Sequence, residues 1–386
     1  EELLQEYGQF AAEKRVSIFH RIEQLRSAPQ TEVENSIGYV PEWMSHWTVD
    51  GQTASDLRKM AKLAKKQLDM KKGIINLEGH AGTGKDVLIK MFCHMTNRSY
   101  FAFDCSKWTV EEDLSETLTL EKGSVLKIPS AVLQAIRTPG AVLYFNEFNA
   151  MPEATQIFLH SLLDEKRSLT LKSSGGVTVK ADPSVLFFSS MNPGYPGTFE
   201  PQFATRSRMN YLPIAYAPLE DPQRAGKFNV AEALRLAREV ESLTEYTYDI
   251  DLPHNEFVQI WNNYINGETG NGASPIRDEQ LFDLRTILAL VQFTDKLRKA
   301  FMLKFDKRRD RNALTISQPM TGRELADCAY DLSHLAETEK INPGGSGPLL
   351  FARRLIIENY LPKISDTLER EKIEQEMSTW TIAAHP

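Results

Sequence analysis

The fold is decided by residues 77–86, which read Leu-Glu-Gly-His-Ala-Gly-Thr-Gly-Lys-Asp. Two glycines separated by four residues and followed by lysine are typical of a phosphate-binding loop, in which backbone N–H groups and a helix N-terminus hold an anion. The pattern asks for serine or threonine after the lysine, but Asp86 stands there. The sequence therefore predicts a nucleotide site whose magnesium contact departs from the usual hydroxyl ligand.

The segments on both sides of the loop support this prediction. Apolar residues 73–77 precede it as a short strand, and residues 86–95 follow it as a helix with one apolar face. We expect Lys85 to reach the β- and γ-phosphates. The residues predicted to bind the nucleotide here are Gly79, His80, Ala81, Gly82, Thr83, Gly84, Lys85, Asp86 and Val87.

A second motif, Ala-Val-Leu-Tyr-Phe-Asn-Glu at residues 141–147, has the form of the strand that carries the magnesium and water-orienting acids of such sites. Asn146 takes the place of the expected aspartate, and Glu147 keeps the second acid. We predict Asp86 and Asn146 as metal ligands, with Asp86 supplying the carboxylate that the strand lacks. In the alternative, Asp86 repels the phosphates and hydrolysis is weak or absent.

The rest of the chain alternates strand and helix signals up to about residue 218. Five apolar strands are predicted at 73–77, 100–103, 141–145, 184–189 and 210–214. Such alternation indicates an α/β fold with a parallel sheet and crossover helices. Two hairpins are also predicted, one joining 118–120 to 125–128 and the other joining 169–172 to 177–180. Strand signals stop after about residue 220, so three regions are expected: a helical N-terminal extension (1–53), the α/β domain (54–218) and a helical C-terminal domain (219–386).

Composition places the chain among ordinary globular proteins. Of its 386 residues 41% are hydrophobic and 25% charged, and the formal net charge is −7. The acidic balance argues weakly against a nucleic-acid partner, although a local basic patch remains compatible with one. Three widely spaced cysteines do not form a metal-binding or disulfide pattern. The sequence contains no run of about 18 apolar residues, so no membrane span is predicted. A cytoplasmic location is expected.

Residues 146–156 carry a family resemblance. They read Asn-Glu-Phe-Asn-Ala-Met-Pro-Glu-Ala-Thr-Gln and resemble the run Asp-Glu-Ile-Asn-Arg-Ala-Pro-Pro-Lys-Thr-Gln of the MoxR-like branch of the AAA+ ATPases. Residues 162–167 follow the same family's pattern, and the resemblance extends over roughly residues 70–215. It implies a P-loop NTPase (AAA+) fold with a parallel sheet flanked by helices and a helical lid. It also implies ATP hydrolase activity with ATP and Mg²⁺ as cofactors.

The resemblance also implies roles for individual residues. Glu147 would orient the attacking water, and Asn192, at the end of the fourth strand, would bind the γ-phosphate or that water. Arg208 fits the arginine finger best and Arg206 next. Such a finger acts on the nucleotide of a neighbouring subunit and neutralises charge on the transferring phosphoryl group.

Three further roles rest on position within the family pattern. Arg323 would contact the γ-phosphate from the lid, with Arg277 as a rival for the same role. The adenine pocket is expected at Gly38, Tyr39 and Val40. The two hairpins would face the pore of a ring, where they would touch a substrate or partner.

Because such an arginine acts between subunits, the resemblance implies a ring-shaped homo-oligomer, with a hexamer as the expected form. The expected function is ATP-driven remodelling or activation of a protein partner, which in this family is often a von Willebrand A-domain protein. Two alternatives stay open. One is a nucleic-acid-linked motor like that of McrB-type restriction or defence systems, favoured by the basic run at residues 296–311 and opposed by the net charge. The other is a nucleotide-binding scaffold with little or no turnover.

Overall fold

The computed structural model describes residues 38–44, 47, 51–121, 124–195, 197–216, 233, 236, 237, 240, 278–306, 313–335, 339–340 and 346–380. These residues belong to two compact units. One contains residues 38–43 and 53–215, and the other contains residues from 216 onwards with a few residues between 44 and 52. The predicted N-terminal helices before residue 38 lie outside the described residues. The predicted domain boundary at 218 falls close to the junction between the units.

Strands and helices alternate through the first unit. Its elements, with the helix that leads into it, are α1 (Gly51–Met70), β1 (Ile74–Glu78), α2 (Lys85–Thr96), β2 (Tyr100–Asp104), α3 (Glu111–Leu114), β3 (Glu116–Glu121), β4 (Ser124–Pro129), α4 (Ala131–Arg137), β5 (Val142–Asn146), α5 (Glu153–Phe158), α6 (His160–Leu163), β6 (Ser168–Leu171), β7 (Val177–Lys180), β8 (Leu186–Met191), α7 (Phe203–Arg206) and β9 (Met209–Pro213). All five predicted sheet strands are present, with their ends shifted by one or two residues. The predicted α/β class is therefore confirmed.

The central sheet is parallel and has the strand order β2-β5-β8-β1-β9. In its register Glu78 lies opposite Met191, and Asp104 lies opposite Asn146. Because all five strands run the same way, their carboxyl ends meet at one edge, where parallel α/β sheets bind their ligands. The loops after β1, β5 and β8 therefore converge.

The core of this unit lies against both faces of the sheet. Leu143, Phe145 and Phe187 are fully buried, as expected for central parallel strands covered on two sides. Gln67 of α1 joins the helix layer to the sheet, because its amide donates to the carbonyl oxygens of Gly73 (2.8 Å) and Phe187 (3.0 Å). The same side chain accepts a hydrogen bond from the Phe187 N–H at 2.8 Å. These bonds satisfy backbone groups that would otherwise be buried without partners.

Both predicted hairpins are present as separate antiparallel pairs. Strand β3 pairs with β4, and β6 pairs with β7. A short 3₁₀ turn at Lys172–Ser174 leads into Gly175 and Gly176, whose positive φ angles of 70° and 86° close the second hairpin.

The second unit is helical in its described part. Its helices are α8 (Asp278–Leu303), α9 (Gly322–Ser333), α10 (Gly347–Asn359) and α11 (Thr367–Thr379). Lys340 and Asp283 form an ion pair there with an Nζ–Oδ2 distance of 2.7 Å, and both side chains are almost fully buried. Among the helices of the described residues, none has the length and apolar character that crossing a bilayer requires.

The basic run at residues 296–311 begins on α8, and its last five residues lie outside the described part. Leu297, Ala300 and Phe301 of this run are buried, whereas Lys304 is exposed. Arg298 is buried as well and donates from Nε to the Met320 carbonyl oxygen at 3.0 Å. This part of the run is therefore partly structural, which reduces the positive charge it can offer to nucleic acid.

Candidate nucleotide-binding site

The loop after β1 has the strand–loop–helix setting that the motif predicts. The Gly79 N–H donates to the Met191 carbonyl oxygen at 3.1 Å, which holds the loop beside the end of β8. A Cβ atom on Gly79 would lie 2.2 Å from the carbonyl oxygen of Ile214, so only glycine fits. Gly82 and Gly84 have φ angles of 77° and 80°, and Gly84 starts α2. The first N–H groups of α2 therefore open towards the loop, as in an anion cradle.

Lys85 is folded across this loop. Its Nζ donates to the carbonyl oxygens of Gly79 (2.6 Å) and His80 (2.9 Å), and to Asn192 Oδ1 (2.8 Å). Burial lowers the pKa of Lys85 to about 8, against an opposing effect of the nearby Glu147 carboxylate. Burial and the positive charge of Lys85 also lower the pKa of His80. His80 is therefore neutral near pH 7, and Lys85 supplies the positive charge of the loop at pH values below about 8.

Asn192 joins Lys85 to Glu147. Its Nδ2 lies 3.3 Å from Glu147 Oε1, and its Oδ1 accepts from Lys85. Glu147 follows β5 with a φ angle of 53°, a left-handed conformation that is strained for a residue with a side chain. Its N–H donates to Ser190 Oγ at 3.2 Å. The structure therefore brings together three residues that the sequence assigns to the reaction.

The amide of Asn146 is held from three directions. Its Nδ2 donates to Asp104 Oδ1 at 2.9 Å, and its Oδ1 lies 2.9 Å from the Tyr144 hydroxyl and 3.1 Å from Ser190 Oγ. Because a carboxylate only accepts hydrogen bonds, Asp104 fixes which end of the amide faces it. Asp104 is a residue that sequence reasoning missed. Its position at the end of β2, next to β5 in a parallel sheet, was the available signal.

Asp86 points towards β2. Its Oδ1 accepts from the Tyr100 hydroxyl at 2.6 Å, and its Oδ2 forms an ion pair with Lys90 at 2.8 Å. Burial raises the pKa of Tyr100, and the Asp86 charge raises it further, so this hydroxyl keeps its proton. One negative charge at the loop is therefore balanced by one lysine of the same helix.

These oxygens can be compared with what Mg²⁺ requires. Each oxygen of Asp86 keeps a free lone pair, which suits a hard cation that prefers carboxylate oxygen. Asn146 Oδ1 suits it less, since two hydroxyls already lie within hydrogen-bond distance. Among the described residues there is no group of three histidine, cysteine or acidic side chains that could hold a metal alone. Any Mg²⁺ would therefore rely on phosphate and water oxygens, as this cation commonly does.

Tyr195 also contacts the loop, although no role was predicted for it from the sequence. Its hydroxyl accepts from the Ala81 N–H at 3.2 Å, and its ring lies 6.0 Å from the ring of His80. The segment after β8 therefore contacts the phosphate loop twice, through Asn192 and through Tyr195. A tyrosine four residues beyond a strand has no recognisable motif, which explains why it was missed.

The two candidate finger arginines lie in and just after α7. Arg208 makes a double contact with Asp164, at 2.8 Å from Nε to Oδ1 and 2.9 Å from Nη2 to Oδ2. Arg206 pairs with Glu200, and both of these side chains are exposed. Neither arginine contacts Lys85 or Glu147 of its own chain in the described part, which fits a role on a neighbouring molecule.

The remaining predicted residues lie on other elements. Arg323 is exposed at the start of α9 in the second unit, and Arg277 lies outside the described residues. Tyr39 forms two backbone hydrogen bonds with Tyr100 of β2, at 3.3 and 2.7 Å, and Val40 follows it. Their predicted roles in binding the γ-phosphate and the adenine remain predictions.

Side chains of the two hairpins contact each other. Lys127 of β4 donates to Ser174 Oγ at 2.6 Å and lies 3.7 Å from Glu116 of β3. The side chains of Val125 and Leu126, which the sequence placed in a pore, lie outside the described part. Beside the first hairpin is a cavity of about 490 Å³, whose lining includes Asp104 and the exposed Trp108.

Comparison with known families identifies the first unit. Residues 74–209 match the AAA domain of the dynein-related subfamily. The match runs from the first residue of β1 to the first residue of β9 and includes Lys85, Glu147, Asn192 and Arg208. Residues 74–209 are therefore similar to an AAA domain, and their P-loop and parallel sheet agree with the AAA+ fold that the resemblance predicts.

Similar proteins come from staphylococci. An uncharacterised protein of Staphylococcus epidermidis is 28% identical over 158 residues, which are 40% of this chain and 59% of that protein. One from Staphylococcus saprophyticus is 30% identical over the same length, with the same coverage. One from Staphylococcus aureus is 22% identical over 256 residues, 65% of this chain and 91% of that protein. The match thus spans only 59% of the length of the first relative.

A solved structure also aligns with the chain. It is a crystal structure of a protein proposed to be an ATPase, from Cytophaga hutchinsonii, at 15% identity and a TM-score of 0.37. The alignment covers 96% of this chain and 97% of the other.

Proposed function

We propose that this chain is an ATP hydrolase that works as a ring and couples turnover to the remodelling or activation of a protein partner. The hydrogen-bonded series Lys85–Asn192–Glu147 at the carboxyl edge of the sheet carries the proposal. Lys85 would exchange the carbonyl oxygens of the loop for phosphate oxygens. Asn192 and Glu147 would then hold the attacking water, and bound Mg²⁺ would neutralise charge on the phosphates.

The test of hydrolysis is Glu147→Gln. The variant keeps the shape of the site but loses the carboxylate, so we expect ATP binding to persist and turnover to fall by about 100-fold or more. Glu165→Gln is the matched control, because Glu165 is an exposed acid paired with Lys72 on the same unit. If Glu147→Gln turns over ATP within about threefold of wild type, the assignment is wrong.

The ring is proposed from the two finger arginines. Arg208, or Arg206 in second place, would reach the nucleotide of the next subunit, and we propose a hexamer as the ring. Arg323 would act from the lid, with Arg277 as the alternative. Sedimentation with and without ATP tests assembly, which we expect to be promoted by ATP.

A protein partner is supported by the surface beside the first hairpin. The exposed Trp108 and Ile128 border the 490 Å³ cavity, and exposed aromatic groups of this kind are common anchors in protein interfaces. We propose a separate von Willebrand A-domain protein as the partner class, in the cytoplasm. Co-purification of a partner that is lost in Trp108→Ala would support it, and partner binding unchanged by that variant would count against this surface.

A second candidate is a nucleotide-binding scaffold with little turnover. It is favoured by the pairing of Asp86 with Tyr100 and Lys90, and by the amide at Asn146. The ATP hydrolysis rates of wild type and Glu147→Gln distinguish the two proposals. A scaffold binds ATP but shows no hydrolysis that this substitution can remove.

A further inference from the structure

The guanidinium of Arg208 is fixed more firmly than that of a solvated arginine. Two parallel N–H···O bonds join it to Asp164, in the fork geometry that sets both the position and the plane of the group. A third bond runs from Nη1 to the Ala204 carbonyl oxygen at 2.6 Å. An arginine has five N–H donors, so these contacts leave two of them for another acceptor.

The elements that carry this pair are also held together. Asp164 directly follows α6, and Arg208 lies two residues after α7. His160 Nε2 of α6 lies 2.8 Å from Oγ1 of the buried Thr205 of α7. Burial lowers the pKa of His160, and the charge of Arg208 lowers it further, so the ring stays neutral near pH 7. A second side-chain contact therefore joins the two short helices beside the Arg208–Asp164 pair.

We propose that Asp164 is the positioning residue of Arg208: it holds the guanidinium so that its two remaining donors meet the transferring phosphoryl group on the neighbouring subunit. This rests on the proposed function, in which Arg208 acts in trans. The side chain of an arginine is long and flexible, and a finger works only if its donors are in place when charge builds up. A carboxylate on the same subunit supplies that order before the two subunits meet.

Asp164→Asn tests the proposal in the full-length chain. An asparagine offers one acceptor and turns an NH₂ group towards the guanidinium, so the fork is lost. We expect kcat to fall by about tenfold or more while KM for ATP changes by less than about twofold, because the finger contacts the transition state. Glu165→Gln, the neighbouring acid, is the control and should leave both constants unchanged.

A second pair of variants asks whether Asp164 acts through Arg208. In an Arg208→Ala background the further change Asp164→Asn should have no effect on kcat, because the residue it orients is gone. An equal, additional loss in that background would overturn the proposal. Should Asp164→Asn melt below wild type, Asp164→Glu replaces it, since the longer acid keeps the charge and displaces the guanidinium.

Mixed rings separate this proposal from the function on which it rests. An Asp164→Asn subunit keeps its own site, and a Glu147→Gln subunit keeps a correctly placed Arg208. Mixing equal amounts before ATP is added should restore about a quarter of wild-type activity, because a quarter of the interfaces then join two intact halves. The reference is the mixture of Arg208→Ala with Glu147→Gln, which should be restored equally.

The outcomes are distinct. If the reference mixture is restored but the Asp164→Asn mixture is no more active than its separate components, Asp164 does not position the finger and the trans role of Arg208 stands. If neither mixture is restored, the trans role fails and the proposal falls with it. Restoration of both mixtures supports the proposal, because a purely structural defect in one subunit is not repaired by a neighbour.

Discussion

Asn146→Asp would restore the acid that the sequence motif lacks, yet the structure predicts that it harms the protein. Asn146 Nδ2 donates to Asp104 Oδ1 at 2.9 Å. An aspartate in its place would face that oxygen with a second carboxylate. Two acids this close cannot both ionise without cost, so one of them takes up a proton and its pKa rises.

The magnitude follows from the distance. Two unit charges 2.9 Å apart repel by about 1.4 kcal/mol in water and by about 6 kcal/mol at an effective dielectric constant of about 20. Asp104 is exposed, so the lower value applies. The lost hydrogen bond adds about 1 kcal/mol. We therefore expect a loss of about 2 kcal/mol in the free energy of unfolding at pH 7.5, or roughly 4–8 °C in melting temperature.

The assay compares melting temperatures of wild type and variant from pH 4 to 7.5 in the absence of Mg²⁺. The folded-state pKa of the acid pair is raised above its unfolded value, so the deficit is small at low pH and grows as pH rises. The control is the double variant Asp104→Asn with Asn146→Asp, which exchanges the partners and restores one amide–carboxylate bond. It should recover most of the lost stability.

Two results would refute this reasoning. One is a melting temperature of Asn146→Asp that equals wild type across the pH range. The other is a double variant whose loss is the sum of the two single losses, because additivity means that the two side chains do not interact.

Two other predictions follow from ionisable groups. Burial lowers the pKa of Lys85 to about 8, and a bound phosphate would raise it, so nucleotide binding takes up protons near pH 8. The affinity for nucleotide should therefore fall as pH rises above that value. Calorimetry in buffers of different ionisation enthalpy should detect the proton uptake, and binding heats that do not depend on the buffer would contradict it. Lys340→Met removes the cation that pairs with the buried carboxylate of Asp283, which should cost about 3–5 kcal/mol of unfolding free energy. Burial raises the pKa of Asp283 to about 7, so stability falls as pH rises through that range; urea unfolding at pH 6 and 8 checks this, and Lys340→Arg, which keeps a cation, is the milder control.

The strands and the phosphate loop could be predicted because their signals are local. Apolar runs fix the strands, and glycine spacing fixes the loop, so β1 and α2 fall within a residue or two of their expected ends. The ends shift because hydrogen bonds to neighbouring strands, rather than hydrophobicity, decide where a strand stops. The positions of Glu147 and Asn192 at the sheet edge were also predictable, since each directly follows a buried strand.

The partners of the site residues were not predictable in this way. Asp104 is 42 positions from Asn146, and Asp164 is 44 positions from Arg208. Neither acid belongs to a motif, and only the strand order and the docking of α6 on α7 bring them to their partners. Pairings of this kind depend on the tertiary fold, which a single sequence does not reveal at the level of side chains.

Asp86 and Asn146, the two residues that depart from the usual motifs, differ in how the charge around them is balanced. The carboxylate of Asp86 is paired with Lys90, so this pair contributes no net negative charge to the site. Asp104 instead contacts the neutral amide of Asn146, and its charge is balanced by no cation among the contacts of the described residues. A cation beside the strand ends would therefore experience the field of Asp104 more than that of Asp86. The amide of Asn146 at the end of β5 is therefore better explained by Asp104 on the neighbouring strand than by Asp86 after the phosphate loop. The Asp104→Asn, Asn146→Asp double variant measures the interaction between these two side chains directly.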